Sequence, residues 1–202
     1  MVENGNLKIL EAISKGTTLM AEGELDELIK TNDLSLTEEG YLSIIARKTG
    51  ALISAAAQIG GILGNTSEEK ERALARFGMD VGIAFQLIDD NLDYTSKEEE
   101  FGKKIGIDLQ DGKITLPLIY TLSHCSNEET DFIRKTVESE PISKEDFFRV
   151  VDIIERYQGV RYTWGKAKEY IDKAKRHLQP FPVSREREAL QALADYVLER
   201  RL

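Results

Sequence analysis

The chain has 202 residues, with 36 acidic against 27 basic side chains and a formal net charge of −9, a balance that argues against a nucleic-acid backbone as partner because phosphates reward clustered Lys and Arg. Hydrophobic residues at 41% and charged residues at 31% exclude a disordered polymer and a membrane bundle. A lone cysteine, Cys125, forms no internal disulfide and agrees with a reducing compartment, and His124 and His177 show no zinc spacing.

Helix signals run the length of the chain, with no alternating strand pattern. The first proline is Pro117. In chain order, helices are predicted near 5–30, 37–64, 67–96, 115–124, 127–138, 143–157, 160–178 and 185–200. The N-terminus is acidic and mixed, so no signal peptide is expected. Leu7, Leu10 and Ile13 mark the apolar steps of the first helix. An uncharged run from Thr49 to Ser67 starts inside the second and is long enough to raise the membrane question. Its Ala and Gly content, with Ser54 and Gln58, reads instead as a helix of small residues inside a bundle. Capping boxes are expected at Ser35 with Glu38, Thr66 with Glu69 and Ser126 with Glu129. Residues 97–113 make one long, glycine-punctuated connection, and long ordered loops tend to be functional. Phe147, Val150, Val151 and Ile154 mark the inner face of a later helix. Pro180-Phe181-Pro182 reads as a rigid hinge before the last one.

The most informative segment is Phe85-Gln-Leu-Ile-Asp-Asp-Asn-Leu-Asp-Tyr94. At ~100° per residue, Gln86, Asp89, Asp90 and Asp93 share about one third of the helix circumference, with Leu87, Ile88 and Leu92 on the other side. An amphipathic helix with a solvated acidic face would look the same. Against that reading, the like charges repel, and the only base between Ala73 and Ser96 is Arg76. Hard oxygen ligands without local counterions suit Mg²⁺, which takes a couple of carboxylates plus waters and substrate phosphates. Lys103, Lys104 and Lys113 lie just downstream. The run from Gly102 to Lys113 matches neither a P-loop nor a dinucleotide fingerprint.

Gly23-Glu24, Arg47-Lys48-Thr49, Phe85-Gln86 followed by Asp-Asp-Asn-Leu-Asp, Gly102-Lys103 with Gly106 and Asp108, and Asp111-Gly-Lys-Ile-Thr-Leu-Pro117 occur in one order and spacing. Through them the chain resembles the C-terminal part of an all-trans polyprenyl diphosphate synthase of the octaprenyl and heptaprenyl type. The resemblance covers nearly all of residues 1–202, as part of a single domain. It implies an all-α, isoprenoid-synthase-type helical bundle around a central cavity, with the N-terminal helices absent. It also implies a Mg²⁺-dependent prenyltransferase that joins an allylic prenyl diphosphate to isopentenyl diphosphate in the cytoplasm. A homodimer is implied, or a partner chain that supplies the N-terminal half.

By the same resemblance Asp89, Asp90 and Asp93 are the second aspartate-rich motif and bind the metal, Asp89 most directly. Lys48 and Lys103 contact the allylic diphosphate, with Lys113 close by. Thr49 and Gln86 orient the diphosphate or help place the proton-accepting pocket. Phe85 lines the isoprenoid site, or is plain core. Thr49 has the alternative of a back-bonding hydroxyl, and Lys104 that of a solvated chain.

Two departures from the family pattern stand out. No earlier aspartate-rich motif precedes Lys48, so the chain is expected to turn over poorly alone. Glu27 stands where the family commonly has Gln, which adds charge near the allylic substrate if that side chain faces the site and is a neutral change if it faces water. A non-catalytic subunit of a heteromeric synthase is the competing function, and a cyclising terpene synthase a weaker third.

Overall fold

A computed structural model describes residues 5–95, 106–139 and 141–200. Lys103 and Lys104 lie outside the described residues. Among those described, the secondary structure is helical throughout: α1 (Leu7–Ile29), α2 (Glu38–Ile45), α3 (Ala51–Leu63), α4 (Glu68–Thr95), α5 (Ile107–Gln110), α6 (Leu116–Leu122), α7 (Asn127–Val137), α8 (Lys144–Arg156), α9 (Gly159–His177) and α10 (Arg185–Glu199). No described helix is long and apolar enough to cross a membrane.

The centre of the fold is α4, whose 28 residues run about 42 Å at 1.5 Å per residue. It packs on α3 on one side and on α9 on the other, while α1 lies across α3. Ala84 and Leu87 of α4, Leu116 and Leu118 of α6, Ile154 of α8 and Ile171, Ala174 and Leu178 around α9 are fully buried. Each buried Leu or Ile stabilises the fold by about 1.5–3 kcal/mol relative to exposure. Phe147, Val150, Val151 and Ile154 form the buried stripe their spacing predicts. In α1 the stripe is shifted from the predicted one. Ile9, Ala12, Gly16 and Gly23 face inward, and Leu7 is 78% exposed. Small residues win the inner face because α3 approaches closely: a Cβ on Gly16 would lie 2.9 Å from Ala55 Cβ.

Three local expectations are corrected. The predicted helix over 37–64 is interrupted by a π-helical turn at Ala46–Gly50. At two starts the cap sits closer to the helix than the three-residue spacing suggested. Thr37, not Ser35, caps α2 by accepting from the Gly40 N–H at 3.1 Å, while Ser35 is tied to Asp33. Ser67 precedes α4 and accepts from the Lys70 N–H, while the Thr66 hydroxyl donates back to the Gly61 carbonyl. The Ser126–Glu129 capping box forms as expected. The segment around Phe181 is anchored: the Phe181 carbonyl accepts from Arg187 at 2.6 Å.

Candidate active site

The site is assembled where α1, the π-turn and α4 meet. A π-turn inserts one extra residue into a helix and is often found at functional positions. Here it holds Arg47, Lys48 and Thr49. Two glycines set the approach. A Cβ on Gly23 would stand 2.4 Å from Lys48 N, and one on Gly82 would stand 2.7 Å from Gly50 Cα. The backbone of the π-turn is therefore clasped between α1 and α4.

That clasp sets the charge pattern. Lys48 Nζ lies 2.5 Å from Glu27 and 3.2 Å from Glu24, both on α1. Burial alone would lower the Lys48 pKa, but the hydrogen bonds and charges of Glu27 and Glu24 outweigh it and hold the ammonium above its usual value. Arg47 pairs with Asp26. Glu27 thus faces Lys48 and is not on a fully solvated face. Replacing it with Gln removes one of the two carboxylates that pair with Lys48. Glu27→Gln is expected to tighten inorganic diphosphate binding by roughly two- to five-fold, the worth of a partly exposed pair. Calorimetric titration checks this, and unchanged or weaker binding would contradict it.

A hydrogen-bond chain crosses the same junction. The Thr49 hydroxyl donates to Gln86 Oε1 at 2.8 Å, and Gln86 Nε2 donates to Asp90 Oδ1 at 2.8 Å. The Tyr41 hydroxyl donates to the other oxygen of Asp90. Thr49 is therefore paired across helices and not back-bonded within its own. Asp90 is only 4% exposed, and burial pushes its pKa up to about 7 despite the two donors, with Asp108 adding to the rise.

Asp93 faces the start of α5. Its two carboxylate oxygens accept the backbone N–H groups of Ile107 and Asp108 at 3.2 and 3.1 Å. Partial burial, then the charge of Asp108, raises its pKa to about 6. Gly106, at φ +77°, makes the turn that starts α5. Lys113 Nζ lies 2.8 Å from Asp108, which holds its pKa up against the lowering effect of burial, and Glu27 adds to that hold. Asp89 sits at the other edge of the stripe, half exposed, with Arg200 Nη2 at 3.6 Å. The Arg200 guanidinium covers the Phe85 ring at 4.5 Å.

The structure thus brings Lys48, Thr49, Gln86, Asp90, Asp93 and Lys113 to one junction and spreads the predicted acidic stripe over three environments. No group of three acidic, His or Cys side chains that could hold a metal ion occurs among the described residues. The donor set suits an ion that a substrate helps to hold. Asp89 has a half-exposed carboxylate, and each Asp93 oxygen accepts one N–H, which leaves a lone pair apiece. Two carboxylates plus phosphate oxygens are a normal Mg²⁺ environment.

Tyr41 and Arg200, which touch Asp90 and Asp89, carry no motif of their own. Tyr41 lies seven residues before Lys48, two helical turns, so the spacing held a usable signal. Arg200 reaches α4 from the far end of the chain and had none.

Residues 1–154 match the family model for polyprenyl synthetase. The octaprenyl diphosphate synthase of Escherichia coli is 39% identical over 200 residues, which cover 99% of this chain and 62% of that protein. Component 2 of the heptaprenyl diphosphate synthase of Bacillus subtilis is 33% identical over 179 residues, 89% of this chain and 50% of that one. The crystal structure of a Caulobacter crescentus polyprenyl synthase complexed with calcium and isoprenyl diphosphate superposes with a TM-score of 0.94 at 37% identity, covering 100% of this chain and 62% of that chain. The chain therefore spans less than two thirds of the length of these relatives.

Proposed function

The chain belongs to the polyprenyl synthetase family, and from that premise we propose that it carries the allylic-diphosphate side of a Mg²⁺-dependent, all-trans polyprenyl diphosphate synthase. The observation that carries the reading is the junction itself: Glu27 acts on both Lys48 and Lys113, Lys113 acts on Asp93, and Lys48 immediately precedes Thr49 of the Thr49–Gln86–Asp90 chain. The calcium and isoprenyl diphosphate bound by the Caulobacter relative, a divalent cation and a prenyl diphosphate, are the ligands such a junction would take.

In this reading Lys48 and Lys113 exchange their carboxylate partners for diphosphate oxygens, and Lys103 joins them. Asp89 and Asp93 hold Mg²⁺, which when bound neutralises the charge that develops on the departing diphosphate. Asp90 acts from behind: through Gln86 it fixes the Thr49 hydroxyl, which faces the diphosphate. Phe85 shields the allylic carbon from water. Isopentenyl diphosphate is the second substrate, and the product is lengthened by one isoprene unit per cycle. The chemistry is assigned to the cytoplasm and to a homodimer. Turnover by the chain alone is slow, because the described residues gather too few carboxylates to hold the metal without help.

A second reading, that of a subunit which binds prenyl diphosphate within a heteromeric synthase, is favoured by one observation, the similarity to a protein named as a synthase component. Incubation with farnesyl diphosphate and labelled isopentenyl diphosphate separates the two. Slow, Mg²⁺-dependent elongation that disappears in Asp89→Ala is expected of the first reading. Elongation that survives EDTA or Asp89→Ala would overturn it.

A further inference from the structure

Asn32, Asn65 and Gln158 hold positive φ angles without being glycine. The left-handed region costs a side chain steric energy, and Asn bears it better than most residues. Such departures cluster at functional sites. The ordinary use of a left-handed residue is to end a helix, with an N–H returned to a carbonyl of the helix's last turn. Asn65 and Gln158 follow that rule, donating to Ile62 of α3 and Glu155 of α8. Asn32, at φ +61° just after α1, does not. Its N–H donates to the Gly112 carbonyl at 2.8 Å, in the connection between α5 and α6.

Gly112 is shaped to receive it. It is left-handed too, at φ +72°, and a Cβ there would stand 2.1 Å from Asn32 Oδ1 and 2.8 Å from Thr31 Cγ2. Two tight turns interlock at this point, and the residue after Gly112 is Lys113. Within its own segment the Lys113 turn closes on Asp108: the Lys113 N–H donates to the Asp108 carbonyl at 2.8 Å, and Nζ lies 2.8 Å from Oδ1. Asp93 of α4 holds the same segment at the N–H groups of Ile107 and Asp108. Asn32 adds a hold from the end of α1, the helix that carries Glu27. Glu27 acts on Lys113 and pairs with Lys48, whose backbone lies against Gly23 of the same helix. Helix α1 is thus the common reference for two lysines carried by separate segments.

We propose that Asn32 is a positioning residue for Lys113: by clasping Gly112 from the end of α1 it holds Lys113 within the field of Glu27, the carboxylate that also pairs with Lys48, and so fixes where the ammonium meets a diphosphate. This rests on the proposed function, in which Lys113 takes a diphosphate oxygen. Asn32 itself touches no ligand and acts through the backbone of Gly112.

Two measurements on the whole chain keep the inference apart from that reading. The first needs no ligand: acetic anhydride labels lysine amines, and peptide mass spectrometry reads each site. Asn32→Pro removes the N–H and forces φ to about −65°. Asn32→Ala keeps the N–H but bears the left-handed cost in full. Lys113 labelling is expected to rise about two- to five-fold in Asn32→Pro, the worth of a partly exposed pair, and by less in Asn32→Ala. Lys48 and Lys175 are labelled as in the native chain. Asn32→Gly, which takes positive φ freely, keeps native labelling. The second measurement is calorimetric titration with inorganic diphosphate and Mg²⁺. Lys113→Ala weakens binding by about ten-fold, the loss of a charge-assisted contact, and Asn32→Pro by about three- to ten-fold. The double variant binds no more weakly than Lys113→Ala alone, because the two changes remove one interaction. Circular dichroism checks each fold, and if Asn32→Pro unfolds, Asn32→Ala carries both measurements. Lys113 labelling unchanged in Asn32→Pro and Asn32→Ala, or losses of Asn32→Pro and Lys113→Ala that add in full, would overturn the inference. A native chain that binds no diphosphate, while Asn32→Pro still exposes Lys113, would support Asn32 as the hold on Lys113 and count against the proposed function.

Discussion

Gly23→Ala is expected to destabilise the protein by about 1–3 kcal/mol and to loosen the candidate site at the same time. A methyl group at Gly23 would stand 2.4 Å from Lys48 N, 2.8 Å from Lys48 Cα and 2.9 Å from Arg47 C. All three are backbone atoms, so no side-chain rotation relieves the clash. Helix α1 must shift, and it carries Glu24, Asp26 and Glu27, the partners of Lys48 and Arg47. Gly60→Ala is the matching control. It also lies inside a helix, but its Cβ would meet nothing within 4 Å. The control is expected to gain about 0.5–1 kcal/mol from helix propensity. Urea unfolding of the two variants checks the pair, and equal effects of the same sign would contradict the close approach of α1 to the π-turn.

The second large effect is on pH dependence. Asp90 has a folded pKa of about 7 against 3.8 for an exposed carboxyl. Between those values the folded chain keeps a proton that the unfolded chain has lost, so stability falls as pH rises. From pH 5 to pH 8 this one group removes about 2–3 kcal/mol in metal-free protein. Asp93, with its pKa near 6, acts in the same direction over a narrower window. Asp90→Asn should flatten the profile. Tyr41→Phe should steepen it, because the variant deletes the hydroxyl that donates to the buried carboxylate. Its cost is about 1–3 kcal/mol at pH 8, where Asp90 is charged, and less at pH 5. Urea midpoints in EDTA at the two pH values measure this. A native profile that rises toward pH 8, with Asp90→Asn rising less, would show that Asp90 is not held protonated by burial.

The all-α class and seven of the helices were legible because helical periodicity, capping and the late first proline all agree. What sequence could not show was the break in the second helix. Ala46, Arg47 and Lys48 are good helix formers and the segment has no proline, and the backbone of the π-turn is approached closely by Gly23 of α1 and Gly82 of α4. The acidic stripe was legible as a stripe but not as three environments. Helical geometry places Asp89, Asp90 and Asp93 on one arc, yet neighbours decide their fates: Tyr41 lies 49 residues before Asp90, and Arg200 more than a hundred after Asp89. The orientation of Glu27 was likewise set by contact with Lys48 and not by its position on the helical wheel.

By the proposed function, the junction of α1, the π-turn and α4 takes an allylic diphosphate with Mg²⁺. Calorimetric titration with farnesyl diphosphate, with and without Mg²⁺, on the native chain and on Asp89→Ala, tests it most directly. Saturable binding that requires Mg²⁺ and weakens at least ten-fold in the variant, the worth of a charge-assisted contact, is expected. Absence of binding with Mg²⁺ present, or binding indifferent to both the ion and Asp89, would contradict it.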